Sequence, residues 1–370
     1  MPVRPSQQLE ALHPPVESPQ IPKMAISACS SPAPDGEMVK STWRVASCHD
    51  NTAMDSFFNL LQENILNRRR SYKACAKLAS AYRLSAPEVI VNMSSEFLTS
   101  RDKELVRDSL VELSRALRVL LLTGMGAPSS DSTAAFWQKS KFNSSSEFGP
   151  PLFISAGNTM ALAVVAGASN VEAFVMLVEK GRGGTAAAPV TRAALEAYAR
   201  AFFLLEADSD AVFYHRYLSL THDELKYPVR HSKFINASGE EIDGLAYRQE
   251  LGAIIKQLHF NNFLDVGLAN LVGSLLAKSL EEPDIEPAIY SQLSGVAHAA
   301  SSALAMFLET TSTGWQLKLP RDVALEYCGY LFAAIVKVAE LAVVVFGPTG
   351  GVIDRWNAAK ERAKIALAEL

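Results

Sequence analysis

From Asn51 onward the apolar residues recur at helical spacing. Met54, Phe57, Phe58, Leu61 and Ile65 follow the i, i+3, i+4, i+7 rule, with Asp55 and Glu63 on the other face. Arg68-Arg69-Arg70 ends this pattern, where cations suit a helix C-terminus. Ser71–Leu84 continues in the same style, and Ser85-Ala86-Pro87-Glu88 has the form of an N-cap with proline in the first turn. Over Arg101–Leu122 the stripe Leu105, Val106, Leu110, Leu113, Leu117 and Leu120 opposes Asp102, Glu104, Arg107, Asp108 and Glu112. Further helices are predicted over about 155–166, 170–179, 190–206, 208–220, 245–258, 261–280, 286–309, 321–346 and 351–370. Period-2 alternation is scarce. The polar stretch Thr221–Gly244 reads as a loop with a short hairpin. The expected fold is all-α, in two helical lobes that meet near residues 221–244: 46–235 and 236–350, with 351–370 as a terminal helix or arm.

Residues 1–45 do not share the pattern. Eight of the chain's 18 prolines fall within the first 40 residues, and Leu9, Leu12, Val16 and Ile21 stand isolated between them. Such a segment cannot build its own core, so a flexible Pro-rich arm is expected. It lacks the continuous apolar run of a secretory signal. Two later stretches approach membrane length. Leu152–Val178 is interrupted by Asn158, Asn170 and Glu172, and Tyr327–Phe346 carries Lys337 and Glu340. Charges inside a span are costly, so both are expected to be core helices, with no membrane span.

Composition narrows the function classes. The chain has 370 residues, 49% of them hydrophobic, with 35 Lys+Arg against 39 Asp+Glu and a net charge of −4. That excludes a uniformly basic coat, so any nucleic-acid site must be a local cationic stripe. The cysteines Cys29, Cys48, Cys75 and Cys328 are scattered, which fits neither a disulfide framework nor a zinc ribbon.

No catalytic or metal-binding pattern emerges. His215, His222 and His231 lack the i, i+4 spacing of two ligands on one helix face. The Gly-rich runs at Gly181 and Gly347 lack the lysine of a P-loop. Cys328 falls in an apolar helix and reads as an inert core thiol. Neither an enzyme nor a cofactor is expected.

The window Lys226–Phe234 packs Lys226, Arg230, Lys233, Tyr227 and Phe234 into nine positions at the lobe boundary. Cations contact phosphates and aromatic rings stack on bases or pack against sugars. Arg192 and Arg200, and likewise Arg248 and Lys256, stand eight apart and so share helix faces. Lys318 and Arg321 lie at a helix start in the second lobe. Candidate RNA contacts are therefore Arg230, Lys233, Arg248, Lys256, Arg192, Arg200, Lys318 and Arg321.

Two segments carry a family likeness. Phe263-Leu-Asp-Val-Gly-Leu-Ala-Asn-Leu-Val-Gly-Ser-Leu-Leu-Ala-Lys-Ser-Leu280 resembles a nucleoprotein helix of non-segmented negative-strand RNA viruses. In that family an aromatic, an acid and a Gly-Leu-Ala step open a helix of small and aliphatic residues. Ile289-Tyr290-Ser-Gln-Leu-Ser-Gly-Val-Ala-His-Ala-Ala300 resembles the central motif of the same family, in the same order, in the manner of filovirus and bornavirus-type members. The resemblance covers about 40 of 370 residues. It lacks the longer connection of paramyxovirus-like members and a long acidic tail, which fits a shorter nucleoprotein. It implies two lobes that clamp single-stranded RNA, with Tyr290 near the groove. It further implies head-to-tail assembly of copies into a filament or ring, with the arm on a neighbour, and a viral phosphoprotein and polymerase as partners. The implied location is the virion and the host cytoplasm or nucleus. Two other readings fit the same pattern: a coat protein of a flexuous positive-strand RNA virus, and a helical adaptor or effector without nucleic acid. The adaptor would expose an apolar groove in place of a basic one.

Overall fold

The computed structural model describes residues 98–144, 149–181, 184–226, 233–235, 241–281, 286–311 and 314–370. The arm 1–45, the helices expected before residue 98 and Arg230 lie outside the described residues.

The described chain is all-α apart from two short hairpins. Helix α1 spans Ser100–Gly126 and opens on a capping box, in which the Thr99 hydroxyl accepts from the Asp102 amide and the Asp102 carboxylate accepts from the Thr99 amide. Its predicted stripe from Leu105 to Leu120 is buried throughout. Short α2 (Thr133–Gln138) inserts Trp137, which stacks on Phe213 at 4.2 Å between ring centres. Helix α3 (Leu152–Lys180) is one element where two are expected from the sequence. Ser169 and Asn170, which look like a break, instead donate to the Val165 and Ala166 carbonyls of the preceding turn, so the helix continues through them.

Helices α4 (Ala187–Leu205) and α5 (Asp210–Glu224) follow. Gly167 of α3 allows close approach to α4, because a Cβ there would stand 2.6 Å from the Tyr198 ring. Helix α6 is Gly244–Gln257, α7 is Leu268–Leu280, α8 is Glu286–Ala297 and α9 is the single turn Ser301–Leu304. Helix α10 (Arg321–Phe346) runs through the core against α1, α4 and α7, and α11 (Gly351–Ala368) packs along α1. Among the described residues, α3 and α10 have the length and hydropathy of membrane spans. The apolar window of α10 is 72% buried and that of α3 only 44%. The interior accounts for α10; α3 keeps an uncovered face.

Three expectations are corrected. The helix predicted over 261–280 begins at Leu268, because Asn261–Gly267 is held in a non-helical path on α5. The helix predicted over 286–309 stops at Ala297. Ala299 is left-handed at φ 55°, and the Ala300 amide turns back to the Gly295 carbonyl. A Cβ on Gly295 would approach the Ala303 Cβ to 3.1 Å, so this reversal is tight. Beyond it, β3 (Leu308–Thr311) pairs antiparallel with β4 (Gly314–Leu317) where helix and loop are expected. The hairpin expected in 221–244 forms as β1 (Lys233–Ile235) against β2 (Glu241–Asp243).

One hydrophobic core joins helices from both sides of residues 221–244: Leu110, Phe174 and Phe202 belong to the same cluster as Leu275, Leu293 and Phe332. Cys328 lies inside it, its Sγ 3.5 Å from the Ser109 Oγ, and burial pushes the thiol up to about 12. At one end of the core Arg321 makes a fork onto Asp102 at 3.0 and 2.8 Å and donates to the Leu370 main-chain oxygen at 2.9 Å. This guanidinium ties α10 to the start of α1 and to the residues that follow α11.

Candidate nucleic-acid interface

Helices α7 and α8 pack on one another and both pack on α4. The two family-like segments thus come together in space. Between them opens a cleft of about 740 Å³, lined by Ala269, Asn270, Tyr290, Ser291, Ser294, Gly295 and His298. Every one of these residues belongs to one of the two segments. Ser291 and Gly295 stand four apart on one face of α8, and His298 follows just past its end.

Local chain chemistry makes the cleft receptive to anions. Ala269 and Asn270 sit in the first turn of α7. Its N-cap position is Gly267, which offers no side-chain cap, so the leading amides keep their hydrogen-bonding capacity. Unpaired amides and the helix dipole favour negative charge at such a terminus. Hydroxyls of Tyr290, Ser291 and Ser294 and the exposed His298 imidazole line the remainder.

Behind the cleft, Arg192 of α4 is laid over the Tyr290 ring at 4.9 Å. Its Nη2 donates to the Tyr290 hydroxyl at 2.8 Å and its Nη1 to the Ser294 Oγ at 3.3 Å. Glu196, one turn along α4, accepts from Arg192 Nε at 2.7 Å and from the Tyr290 hydroxyl at 2.9 Å. Burial and then the bond to Glu196 hold the Tyr290 phenol above its ordinary range. The three groups form a closed triangle that pins α8 to α4. Arg192 and Tyr290, chosen separately from the sequence, are brought into contact.

Compared with known proteins, the chain matches no family model, no curated protein and no solved structure.

The other predicted contacts are dispersed. Arg200 pairs with Glu224 of α5 at 3.1 Å. Lys233 on β1 pairs with Glu241 across the hairpin. Arg248 donates from Nε to His222 Nε2 at 3.0 Å. Lys256, in the last turn of α6, is exposed with no ion pair among the described residues. Lys318 leaves β4, its amide bonded to the Phe307 carbonyl. Arg321 is taken up by Asp102.

A second cluster escaped the sequence reading. His215, Ser219 and His222 stand at i, i+4 and i+7 on α5. His215 stacks on Phe260 at 4.5 Å and His222 on Phe263 at 3.7 Å. His215 Nε2 donates to the Asn262 carbonyl at 2.6 Å, and the Ser219 hydroxyl accepts from the Leu264 amide at 2.9 Å. This stripe holds the segment that leads into α7, and so fixes where the cleft's helix terminus points. Lys141 over Phe142, itself stacked on Phe260, extends the band outward. Considering the histidines only as metal ligands hid the signal, which was their seven-residue spacing on a helix face. Among the described residues no group of three His, Cys, Asp or Glu gathers at ligand distance.

Proposed function

We propose that the chain is a viral nucleoprotein that coats single-stranded RNA by sequence-independent contacts to its backbone. The observation that carries this reading is the α7–α8 cleft, built wholly from the two family-like segments, furnished with an uncapped helix terminus and hydroxyls, and backed by Arg192. In this reading a phosphate meets the α7 amides and the Ser291 and Ser294 hydroxyls, and Arg192 turns part of its charge from Glu196 toward it. On the same reading Arg230, Arg248, Lys256 and Lys318 add further phosphate contacts, and Arg200 and Lys233 do so only by leaving Glu224 and Glu241. Arg321 serves the fold. In this reading α7 and α8, from after residues 221–244, line the cleft, and α4, from before them, backs it through Arg192. Copies joined head to tail would make a filament or ring, with a viral phosphoprotein and polymerase as partners, in the virion and host cell. Neither catalysis nor a cofactor enters this reading.

The test is binding of an arbitrary single-stranded RNA across a salt series. Each phosphate neutralised contributes a slope of about −0.7 in log K against log salt. Arg192→Gln should weaken binding about tenfold, the worth of one charge-assisted contact. Glu196→Gln should tighten it, because the competing carboxylate is gone. Equal loss in both variants would reduce the triangle to a structural pin and remove the cleft from the site.

One observation favours a second reading, the adaptor without nucleic acid. The outer face of α3 exposes apolar side chains, the kind of surface such a protein would present.

A further inference from the structure

The α3 face is a feature that the RNA reading leaves unused. Ile154, Leu162 and Met176 are 47%, 71% and 53% exposed. From Leu152 to Val171 the helix has no charged residue. Leu122 of α1 is exposed as well. It lies near the level of Leu162, since the Arg115–Glu172 pair and the Met125 contact with Gly157 bracket both residues on these antiparallel helices. From Ile154 to Met176 this face runs about 33 Å, at ~1.5 Å per residue, with the exposed Asn158 and Ser169 and the half-exposed Glu172 set among its apolar side chains. At a helix width of about 10 Å its area is roughly 330 Å², well below the ~800 Å² per partner of a stable protein–protein interface. One docked helix fits this area; a whole second subunit does not.

We propose that the covering helix is the chain's own segment Met54–Arg70. Its sequence places Met54, Phe57, Phe58, Leu61 and Ile65 on one face, with Asp55 and Glu63 on the other. Laid parallel to α3 from the level of Ile154, its apolar positions cover about 16 Å of the stripe, at ~1.5 Å per residue. Arg68-Arg69-Arg70 then arrives near Glu172, the first acid after the charge-free stretch. The tether closes on the same side. Arg107 pairs with Glu179, and a Cβ on Gly181 would sit 3.4 Å from Lys103 Nζ. The start of α1 is therefore beside the end of α3. The 27 residues 71–97 have only to span from Arg70 to that point. A tether of this length keeps the segment at a high effective concentration over the stripe. With the half of the stripe that holds Ile154 and Leu162 covered from within, the rest is too short for a partner groove, and the adaptor reading loses most of its support.

The experiment uses the full chain with a benzophenone amino acid in place of Leu162, irradiated as an equal mixture of unlabelled and 15N-labelled protein. Mass spectrometry then maps the cross-linked peptides. The expected product joins position 162 to a peptide within residues 54–70, with both halves carrying the same isotope label. Leu162 is exposed, so this replacement spares the core. In the Phe58→Asp, Leu61→Asp variant the product should fall about a hundredfold, from the loss of two buried apolar side chains. Products of mixed label would make the face an interface between copies. Failure to reach residues 54–70, or a yield unchanged in the double variant, would equally overturn the proposal. None of these outcomes depends on RNA binding.

Discussion

Arg321 separates a fold-holding cation from an RNA-holding one. Its guanidinium forks onto Asp102, whose side chain is only 7% exposed, while that of Arg321 is 32% exposed. Removing one partner of a fully buried pair costs about 3–5 kcal/mol, and an exposed pair is worth about 0–1. The Arg321 pair lies between these limits, so Arg321→Ala should cost about 2 kcal/mol. For a unit of this size that lowers Tm by roughly 3 °C. Arg321→Lys keeps the charge but loses the fork and should fall between wild type and Arg321→Ala. The same pair sets an acid dependence. Arg321, then the bonds from Thr99, hold the Asp102 carboxyl below its ordinary range. A depressed carboxyl pKa gives stability that is complete above the unfolded value of about 4 and lost as pH falls through the folded value. The Tm loss on going from about pH 5 to about pH 3 should therefore be smaller in Arg321→Ala than in wild type. Scanning fluorimetry across that range measures both effects. A Tm unchanged within about 1 °C, together with lost RNA retention, would refute the reasoning and return Arg321 to the RNA track.

Other outcomes follow from the same structure. Gly167→Ala forces a Cβ against the Tyr198 ring and should destabilise by about 1–3 kcal/mol, read as a lower urea midpoint. His222 is held below its ordinary pKa by burial, then by Arg248 and Lys226, with Asp223 opposing. The native state therefore keeps it neutral. Its contribution is present above about pH 6.5 and is lost as pH falls through the lowered folded value. Protection from hydrogen exchange in residues 258–267, relative to the intrinsic rate at each pH, should fall on acidification, and His222→Phe should keep the stack while removing that sensitivity. Charge reversal at Arg230 and Lys233 together should abolish RNA retention with helical content intact by circular dichroism; full retention at moderate salt would exclude that loop.

Much of the fold is legible in the hydrophobic pattern because its helices bury one face each. The α1 stripe from Leu105 to Leu120 is an example. Legibility fails where chain geometry is set by tertiary contact. Asn261–Gly267 has an apolar rhythm that reads as helix, yet α5 draws it straight through His215, Ser219 and His222. The turn after Ala297 depends on Ala299 in a left-handed conformation, which alanine does not announce. For the site, Arg192 and Tyr290 could be chosen from residue type and likeness. Their contact could not, since it depends on how α8 lies across α4. Glu196 was the overlooked partner, although its spacing of four from Arg192 is the ordinary helix ion-pair distance. Charge counting also overstated the cationic track, because Arg200 and Lys233 meet acids that are distant in sequence or across a hairpin.

The central claim is RNA encapsidation. Its most direct test is the 260/280 nm absorbance ratio of the purified full chain before and after RNase, with negative-stain images of both samples. The account predicts a high ratio, rings or filaments, and loss of both when RNase reaches the RNA. A protein-like ratio with small monodisperse particles that persist after single-stranded RNA is added would contradict it.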